Sequence, residues 1–247
     1  DLNQVESFFK TNNQIHYCIN CAAYTAVDNA EKDLEKAYEI NTLGAKNLAL
    51  ACHLNNTVLI HVSTDFVFDG SKSEAYTETD ETNPISVYGE TKLKGEHEIG
   101  KILEKHFIIR TSWLYSEHGN NFMKTMLRLS KDRDALSIVS DQVGTPTYAG
   151  DLAQVIFHII KMKSQDYGLY HYSNLGEISW FDFAKAIFEE SKIEIKLAPI
   201  STKDYPTLAS RPMYSVLDKS KIKNKFDIEI PNWRDGLKKG LFKLYQI

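Results

Sequence analysis

Short apolar runs and amphipathic stretches alternate along the first half of the chain. Residues 15–23 form an apolar run that ends in small residues, which predicts a buried strand. Apolar or small residues recur at helical spacing over about 33–53 and again over about 88–103, which predicts two helices. The runs 57–62 and 106–111 are typical of strands. This alternation indicates an open, mostly parallel α/β sheet with helices on both faces.

The pattern is less regular beyond about residue 113. Asp151 is predicted to cap the helix that follows it, and residues 168–173 are predicted to form a strand. Ser179 and Asp182 resemble a capping box at the start of another helix. The second half is therefore predicted to add a smaller, mixed lobe to the sheet.

The length agrees with this division. A chain of 247 residues is long enough for one large α/β domain or for one domain plus a small lobe. Its 43% apolar and 25% charged residues are typical of globular domains. We predict a sheet domain over residues 1–112. Residues 113–247 are predicted to form mainly a small C-terminal α+β substrate lobe, with some segments that return to the first domain.

Charge and cysteine content narrow the range of partners. The net charge of −4 gives no electrostatic reason to expect a nucleic acid or a membrane surface as partner. The three cysteines favour a reducing compartment, so we expect a cytoplasmic protein. Cys18 and Cys21 have redox-pair spacing, but residues three apart on a strand point to opposite faces, so we interpret them as small apolar residues. The histidine spacing predicts no metal site.

Two short motifs suggest proton chemistry. Tyr88 and Lys92 lie one helical turn apart, and a neighbouring ammonium lowers the pKa of a phenol from its ordinary value of about 10. Ser63, Thr64 and Asp65 follow a predicted strand, at the sheet edge where ligands bind. A hydroxyl there can hold a carbonyl oxygen while Tyr88 protonates it. Taken singly, an exposed helical pair and a helix cap remain open as interpretations.

Longer strings of residues extend these motifs along almost the whole chain. They include residues 20–28 (NCAAYTAVD), 61–70 (HVSTDFVFDG), 87–93 (VYGETKL), 110–113 (RTSW) and 141–147 (DQVGTPT). In these strings the sequence resembles the extended short-chain dehydrogenase/reductase superfamily and, within it, the dTDP-4-dehydrorhamnose reductase family. The resemblance implies a Rossmann-like fold that uses NADPH or NADH to reduce dTDP-4-dehydro-L-rhamnose to dTDP-L-rhamnose. The hydride would come from the nicotinamide and the proton from Tyr88.

The resemblance also implies a role for individual residues. The catalytic residues would be Thr64, Tyr88 and Lys92. The cofactor-binding residues would be Ala22, Ala23, Tyr24, Ser63, Tyr88 and Lys92. The residues that bind the nucleotide sugar would be Thr64, Asp65, Trp113, Asn121 and Arg211. A homodimer and a bound Mg²⁺ are compatible with the resemblance, although no residue pattern points to either.

Two other functions remain open at this point. Another nucleotide-sugar reductase or epimerase of the same superfamily would use the same three catalytic residues and differ only in its pocket. A non-catalytic regulatory subunit is also known with this fold, so the fold alone does not exclude it. The intact set of Thr64, Tyr88 and Lys92 favours catalysis.

The glycine distribution qualifies the expected cofactor site. A dinucleotide site of this type uses a Gly-rich turn after the first strand, yet no glycine precedes Gly44. We therefore expect residues 1–112 to form a truncated NAD(P)-binding domain whose sheet lacks its first strand and the second strand that pairs with it. We expect this chain by itself to bind NADPH poorly.

Overall fold

A computed structural model describes residues 1–12 and 14–246. Its α-helices are Leu2–Thr11 (α1), Val27–Ala30 (α2), Leu34–Tyr38 (α3), Gly44–Leu54 (α4), Val87–Ile102 (α5), Phe122–Leu129 (α6), Ala149–Met162 (α7), Trp180–Ser191 (α8), Ser220–Phe226 (α9) and Trp233–Gln246 (α10). Its strands are Tyr17–Asn20 (β1), Val58–Thr64 (β2), His106–Thr111 (β3), Leu114–Tyr115 (β4), Ala135–Val139 (β5), Val143–Gly144 (β6), Thr147–Tyr148 (β7), Gly168–His171 (β8), Ile178–Ser179 (β9) and Lys196–Ile200 (β10). A π-helical segment, Glu39–Leu43, joins α3 to α4. Within the described ranges, no helix combines the length and the apolar character needed to cross a membrane.

The main sheet has four parallel strands in the order β1-β2-β3-β8. Helices α1, α4 and α5 cover one face, where Phe9, Ala49 and Ile99 pack in one buried cluster. Helices α7 and α9 cover the other face, where Ile156 and Phe226 belong to a second cluster. The predicted Rossmann-like architecture, with a mostly parallel sheet and helices on both faces, is confirmed.

A third buried cluster lies outside this sheet. It gathers apolar residues of α6, α8 and α10, such as Met126, Phe183 and Leu237. Beside it, β5 and β10 form a separate parallel pair. The fourth strand of the main sheet, β8, nevertheless comes from the same half of the chain. The domain boundary at residue 112 stays a prediction.

Most of the predicted elements are present, with one error at a helix start. The capping box is confirmed, because Ser179 Oγ accepts from the Asp182 N–H and the Asp182 carboxylate accepts from the Ser179 N–H. The predicted N-cap at Asp151 is wrong, because α7 already begins at Ala149. The Asp151 carboxylate instead accepts from Asn174 Nδ2 at 2.9 Å and pairs with Lys239 Nζ at 2.8 Å.

Candidate active site

The carboxyl ends of β1 and β2 and the start of α5 meet at one edge of the main sheet. Strand β2 ends at the buried Thr64, and Ser86 caps α5 by accepting from the Gly89 N–H at 3.2 Å. The two segments approach closely, since a Cβ at Gly89 would lie 2.1 Å from the Phe66 carbonyl oxygen. Glycine at this position therefore lets the first turn of α5 reach the end of β2.

Tyr88 and Thr64 are brought together here, as the sequence predicts. The Thr64 hydroxyl lies close enough to the Tyr88 phenol to act on its pKa. Burial raises the pKa of Tyr88 to about 12, the charge of Asp65 adds to the rise, and the Thr64 hydroxyl opposes it. Tyr88 therefore keeps its proton at neutral pH.

The pKa of Tyr88 is raised and not lowered as predicted, and Lys92 is not among the groups that act on it most strongly. Its Nζ lies 3.2 Å from His61 Nε2 and donates to the Val62 carbonyl at 2.7 Å. Burial lowers the pKa of Lys92 to about 8. The Lys92 nitrogen is hydrogen-bonded to β2, and its charge is not a main influence on the pKa of Tyr88.

Asp65 lies next to this pair and is fully buried. Burial raises its pKa to about 6, although the Ser215 and Thr64 hydroxyls act in the opposite direction. Thr64 Oγ1 donates to Asp65 Oδ1 at 3.2 Å. Thr64 thus contacts both the phenol of Tyr88 and the carboxyl of Asp65.

The raised pKa of Asp65 makes stability depend on pH in a defined direction. A carboxyl that binds its proton more tightly when folded contributes stability that is lost as pH rises from about 4 through about 6. We expect Asp65→Asn, which carries no charge, to gain about 1 kcal/mol relative to the wild type between pH 5 and pH 8. Urea unfolding at both pH values measures this difference. An unchanged difference between the two proteins would contradict the burial-driven shift.

A buried ion pair between Glu96 and Arg110 is linked to the end of β2 through Ser63. Ser63 Oγ donates to the Glu96 carboxylate, which Arg110 binds through Nε at 3.0 Å and Nη2 at 2.6 Å. The predicted cofactor residue Ser63 thus has its hydroxyl committed to Glu96. We did not predict this pair. The spacing of Tyr88, Lys92 and Glu96, each one helical turn apart, is the signal that could have found Glu96.

The loop after β1 forms the predicted cofactor edge. Ala22 is exposed, and Ala23 and Tyr24 are half-buried. The loop is fixed from below, because the Ala22 N–H donates to Asn20 Oδ1 at 3.1 Å and the Tyr24 N–H donates to Asn41 Oδ1 at 2.8 Å. Exposed small side chains leave room for a flat ligand at this edge. Cys21, interpreted from sequence as a small apolar residue, is exposed here.

A cavity of about 690 Å³ opens beside Phe66, whose ring packs edge-on against Tyr88. Trp113 forms part of its wall and stacks on Trp180, with ring centroids 3.5 Å apart and planes 8° apart. Gly144 packs against this indole, since a Cβ there would lie 2.6 Å from it. The loop over residues 141–147 therefore shapes the cavity. Trp180 was missed as a wall residue, although it follows the capping serine directly.

The two other predicted substrate residues differ in their placement. Arg211 lines the cavity, but its guanidinium is paired with Asp28, with Nη2 2.6 Å from Oδ2. Asn121 caps α6 by accepting from the Lys124 N–H at 3.1 Å, and its Nδ2 donates to the Ser116 carbonyl at 2.7 Å. The polar atoms of Asn121 are thus engaged with backbone. Its role in binding stays a prediction.

An open parallel sheet with threonine, tyrosine and lysine at its carboxyl edge is typical of NAD(P)-dependent oxidoreductases of the extended short-chain dehydrogenase/reductase class. A family model described as the RmlD substrate binding domain matches residues 1–246. The chain belongs to this family, which confirms the resemblance seen in the sequence.

Individual relatives agree with this assignment. The chain is 46% identical over 230 residues to a dTDP-4-dehydrorhamnose reductase of Aggregatibacter actinomycetemcomitans, a match that covers 89% of this chain and 78% of the relative. It is 42% identical over 236 residues to the dTDP-4-dehydrorhamnose reductase of Escherichia coli K12, with 92% and 79% covered. The crystal structure of the Bacillus anthracis dTDP-4-dehydrorhamnose reductase in complex with NADP superposes with a TM-score of 0.95 at 41% identity, covering 98% of this chain and 85% of that one.

Proposed function

We propose that the protein reduces dTDP-4-dehydro-L-rhamnose to dTDP-L-rhamnose with NADPH or NADH. The observation that carries this proposal is the half-buried Tyr88 phenol beside Thr64, at the carboxyl edge of a sheet shared with reductases of this name. The cavity next to Phe66, which packs against Tyr88, is of a size that suits a small organic ligand. The hydride is supplied by the nicotinamide cofactor, and the proton is supplied by Tyr88.

Thr64 and Tyr88 have complementary parts in this reaction. Negative charge develops on the former keto oxygen as the hydride arrives, so hydroxyl donors already aimed at that oxygen stabilise the transition state. A phenol with a pKa of about 12 keeps its proton until this oxygen becomes strongly basic, and then transfers it. The site therefore delivers the proton late, when the alkoxide needs it.

The remaining residues bind and orient the two ligands. Ala22, Ala23 and Tyr24 would line the cofactor ribose and phosphates, with Lys92 placed against the nicotinamide ribose. Ser63 would support this edge through Glu96. The nucleotide sugar would be held by Asp65 and by the wall residues Trp113 and Arg211, with Asn121 at the base of α6.

The arrangement of charges in the cavity supports a diphosphate-linked substrate. Arg211 and Arg133 both line the cavity, and a guanidinium matches the geometry of a phosphate group. Because Arg211 is paired with Asp28, the diphosphate would compete with that carboxylate. The cytoplasm is proposed as the compartment because all three cysteines are free thiols.

Oxidation of NADPH, followed by its absorbance, tests the function. At NADPH concentrations high enough to offset the weak binding expected of this chain, we expect oxidation that depends on dTDP-4-dehydro-L-rhamnose and is much slower with a UDP-linked 4-ketosugar. Faster oxidation with the UDP-linked sugar would assign the protein to another nucleotide-sugar reductase. Absence of oxidation with either sugar, by protein that is folded and binds NADPH, would support a regulatory subunit instead.

A further inference from the structure

A chain of buried hydrogen bonds joins the cofactor edge to Lys92 from below the site. The Ala22 N–H donates to Asn20 Oδ1 at 3.1 Å, and Asn20 Nδ2 lies 2.9 Å from His61 Nδ1. His61 Nε2 lies 3.2 Å from Lys92 Nζ. The side chains of Asn20, His61 and Lys92 are all buried, with 5% or less of each residue exposed. His61 has no role in the proposed reduction of the sugar.

The orientation of Asn20 determines which nitrogen of His61 carries the proton. The Asn20 amide oxygen is fixed by the Ala22 N–H, so its NH₂ group faces His61 and donates to Nδ1. A neutral imidazole has one N–H and one acceptor nitrogen. Burial keeps His61 neutral by lowering its pKa well below the usual range. The proton of His61 therefore sits on Nε2.

This tautomer favours one protonation state of Lys92. The His61 Nε2–H points at Lys92 Nζ, and an ammonium has no lone pair to accept it. A neutral amine accepts that N–H and still donates to the Val62 carbonyl at 2.7 Å. The opposite tautomer would place an N–H against the NH₂ group of Asn20. The network is satisfied at every atom only when Lys92 is an amine.

We propose that Asn20 and His61 are positioning residues that favour the neutral amine form of Lys92 in the ligand-free site. The proposal rests on the proposed function only for the identity of Lys92 as the catalytic lysine. It links the protonation of Lys92 to the loop after β1, because a ligand that accepts the Ala22 N–H releases the Asn20 amide to turn. His61 then takes its other tautomer, with the proton on Nδ1, and accepts from a Lys92 ammonium.

The other charged or titratable groups around the network act more weakly on Lys92. Burial is the main cause of its lowered pKa, and Glu96 and Cys21 both oppose that lowering. The charge of Glu96 is offset by its ion pair with Arg110. His106 is a further neighbour of His61 and also lowers its pKa. None of these groups reverses the donor and acceptor pattern of the hydrogen bonds.

Nitrogen NMR of the ligand-free protein tests the tautomer directly. With ¹⁵N-labelled histidine, we expect the His61 resonances at pH 9, above the Lys92 pKa of about 8, to be those of a neutral ring protonated at Nε2. The resonances are assigned by their loss in His61→Gln. A neutral ring protonated at Nδ1, or an imidazolium, would overturn the proposal. This measurement needs neither a stable active-site variant nor activity.

A pair of variants with the same added charge separates the tautomer from simple electrostatics. Asp at position 20 accepts both the Ala22 N–H and a His61 Nδ1–H, so Asn20→Asp reverses the tautomer. We expect it to raise the pKa of Lys92, followed by its ¹³Cε resonance, by at least about one pH unit. The double variant Asn20→Asp/His61→Phe keeps the new carboxylate but has no imidazole, and its rise should be less than half as large.

The outcomes distinguish this proposal from the proposed function. An equal rise in the single and double variants would assign the effect to the carboxylate alone and overturn the role of His61. The expected tautomer and the expected rise in a protein that fails to oxidise NADPH would retain the network and remove the function. Reduction of the sugar by a protein whose His61 is protonated at Nδ1 would retain the proposed function and overturn the proposed network.

Discussion

Replacing Tyr88 by phenylalanine should lower kcat by at least about tenfold, and general acids of this kind typically contribute about 10²- to 10⁴-fold. The substitution removes the hydroxyl beside Thr64 and leaves the ring, which packs edge-on against Phe66 with centroids 5.5 Å apart. Because the ring is retained, we expect NADPH affinity to stay close to the wild-type value. Steady-state oxidation of NADPH and a direct binding titration measure the two quantities.

Tyr170→Phe is a matched control for this experiment. Tyr170 is a buried tyrosine, and its hydroxyl donates to the Asp166 carbonyl at 2.6 Å in the cluster on the opposite face of the sheet. Tyr170→Phe likewise removes one phenol hydroxyl and should leave kcat near the wild-type value. A kcat for Tyr88→Phe no lower than that of Tyr170→Phe would remove Tyr88 as the proton donor.

The second large effect is expected on stability. Glu96→Ala should reduce the free energy of unfolding by about 3–5 kcal/mol, because it leaves the Arg110 guanidinium buried without its charge partner. Both side chains are only 4% exposed, and the carboxylate also accepts from Ser63. Urea unfolding, analysed with a common slope for both proteins, gives the difference.

An exposed ion pair on the same helix provides the comparison. Glu90 and Lys94 lie 2.6 Å apart, but their side chains are about half exposed. Solvent weakens such pairs, so Glu90→Ala should cost less than about 1 kcal/mol. If Glu96→Ala cost no more than Glu90→Ala, the buried pair would be shown to contribute little to the stability of the site.

The sequence predicts the architecture well because the fold depends on local patterns. The apolar runs of β2 and β3 and the helical periodicity of α5 are each visible without knowledge of their neighbours. The joint presence of Thr64 and Tyr88 at one edge follows from the rule that ligands bind at the carboxyl ends of parallel strands. These parts of the site could be placed from sequence spacing.

What could not be predicted depends on contacts between distant segments. Spacing placed Lys92 one turn from Tyr88, but it could not show that β2 presents His61 and the Val62 carbonyl to the same nitrogen. Similarly, the Asp28 carboxylate that pairs with Arg211 is 183 residues away in the chain. The error at Asp151 has the same origin, since Asn174 and Lys239 compete for its carboxylate.

The π-helical segment before α4 restricts the insertions and deletions that this fold tolerates. The side chain of Asn41, in that segment, bonds both the Tyr24 backbone and the Thr91 hydroxyl. A helix turns by about 100° for each residue, so removing one residue here would swing Asn41 away from these partners or rotate α4 off the sheet. Substitutions at exposed positions such as Glu39 leave both Asn41 and α4 in place. Insertions and deletions within residues 39–43 displace one of them, so the length of this segment is constrained more tightly than its composition.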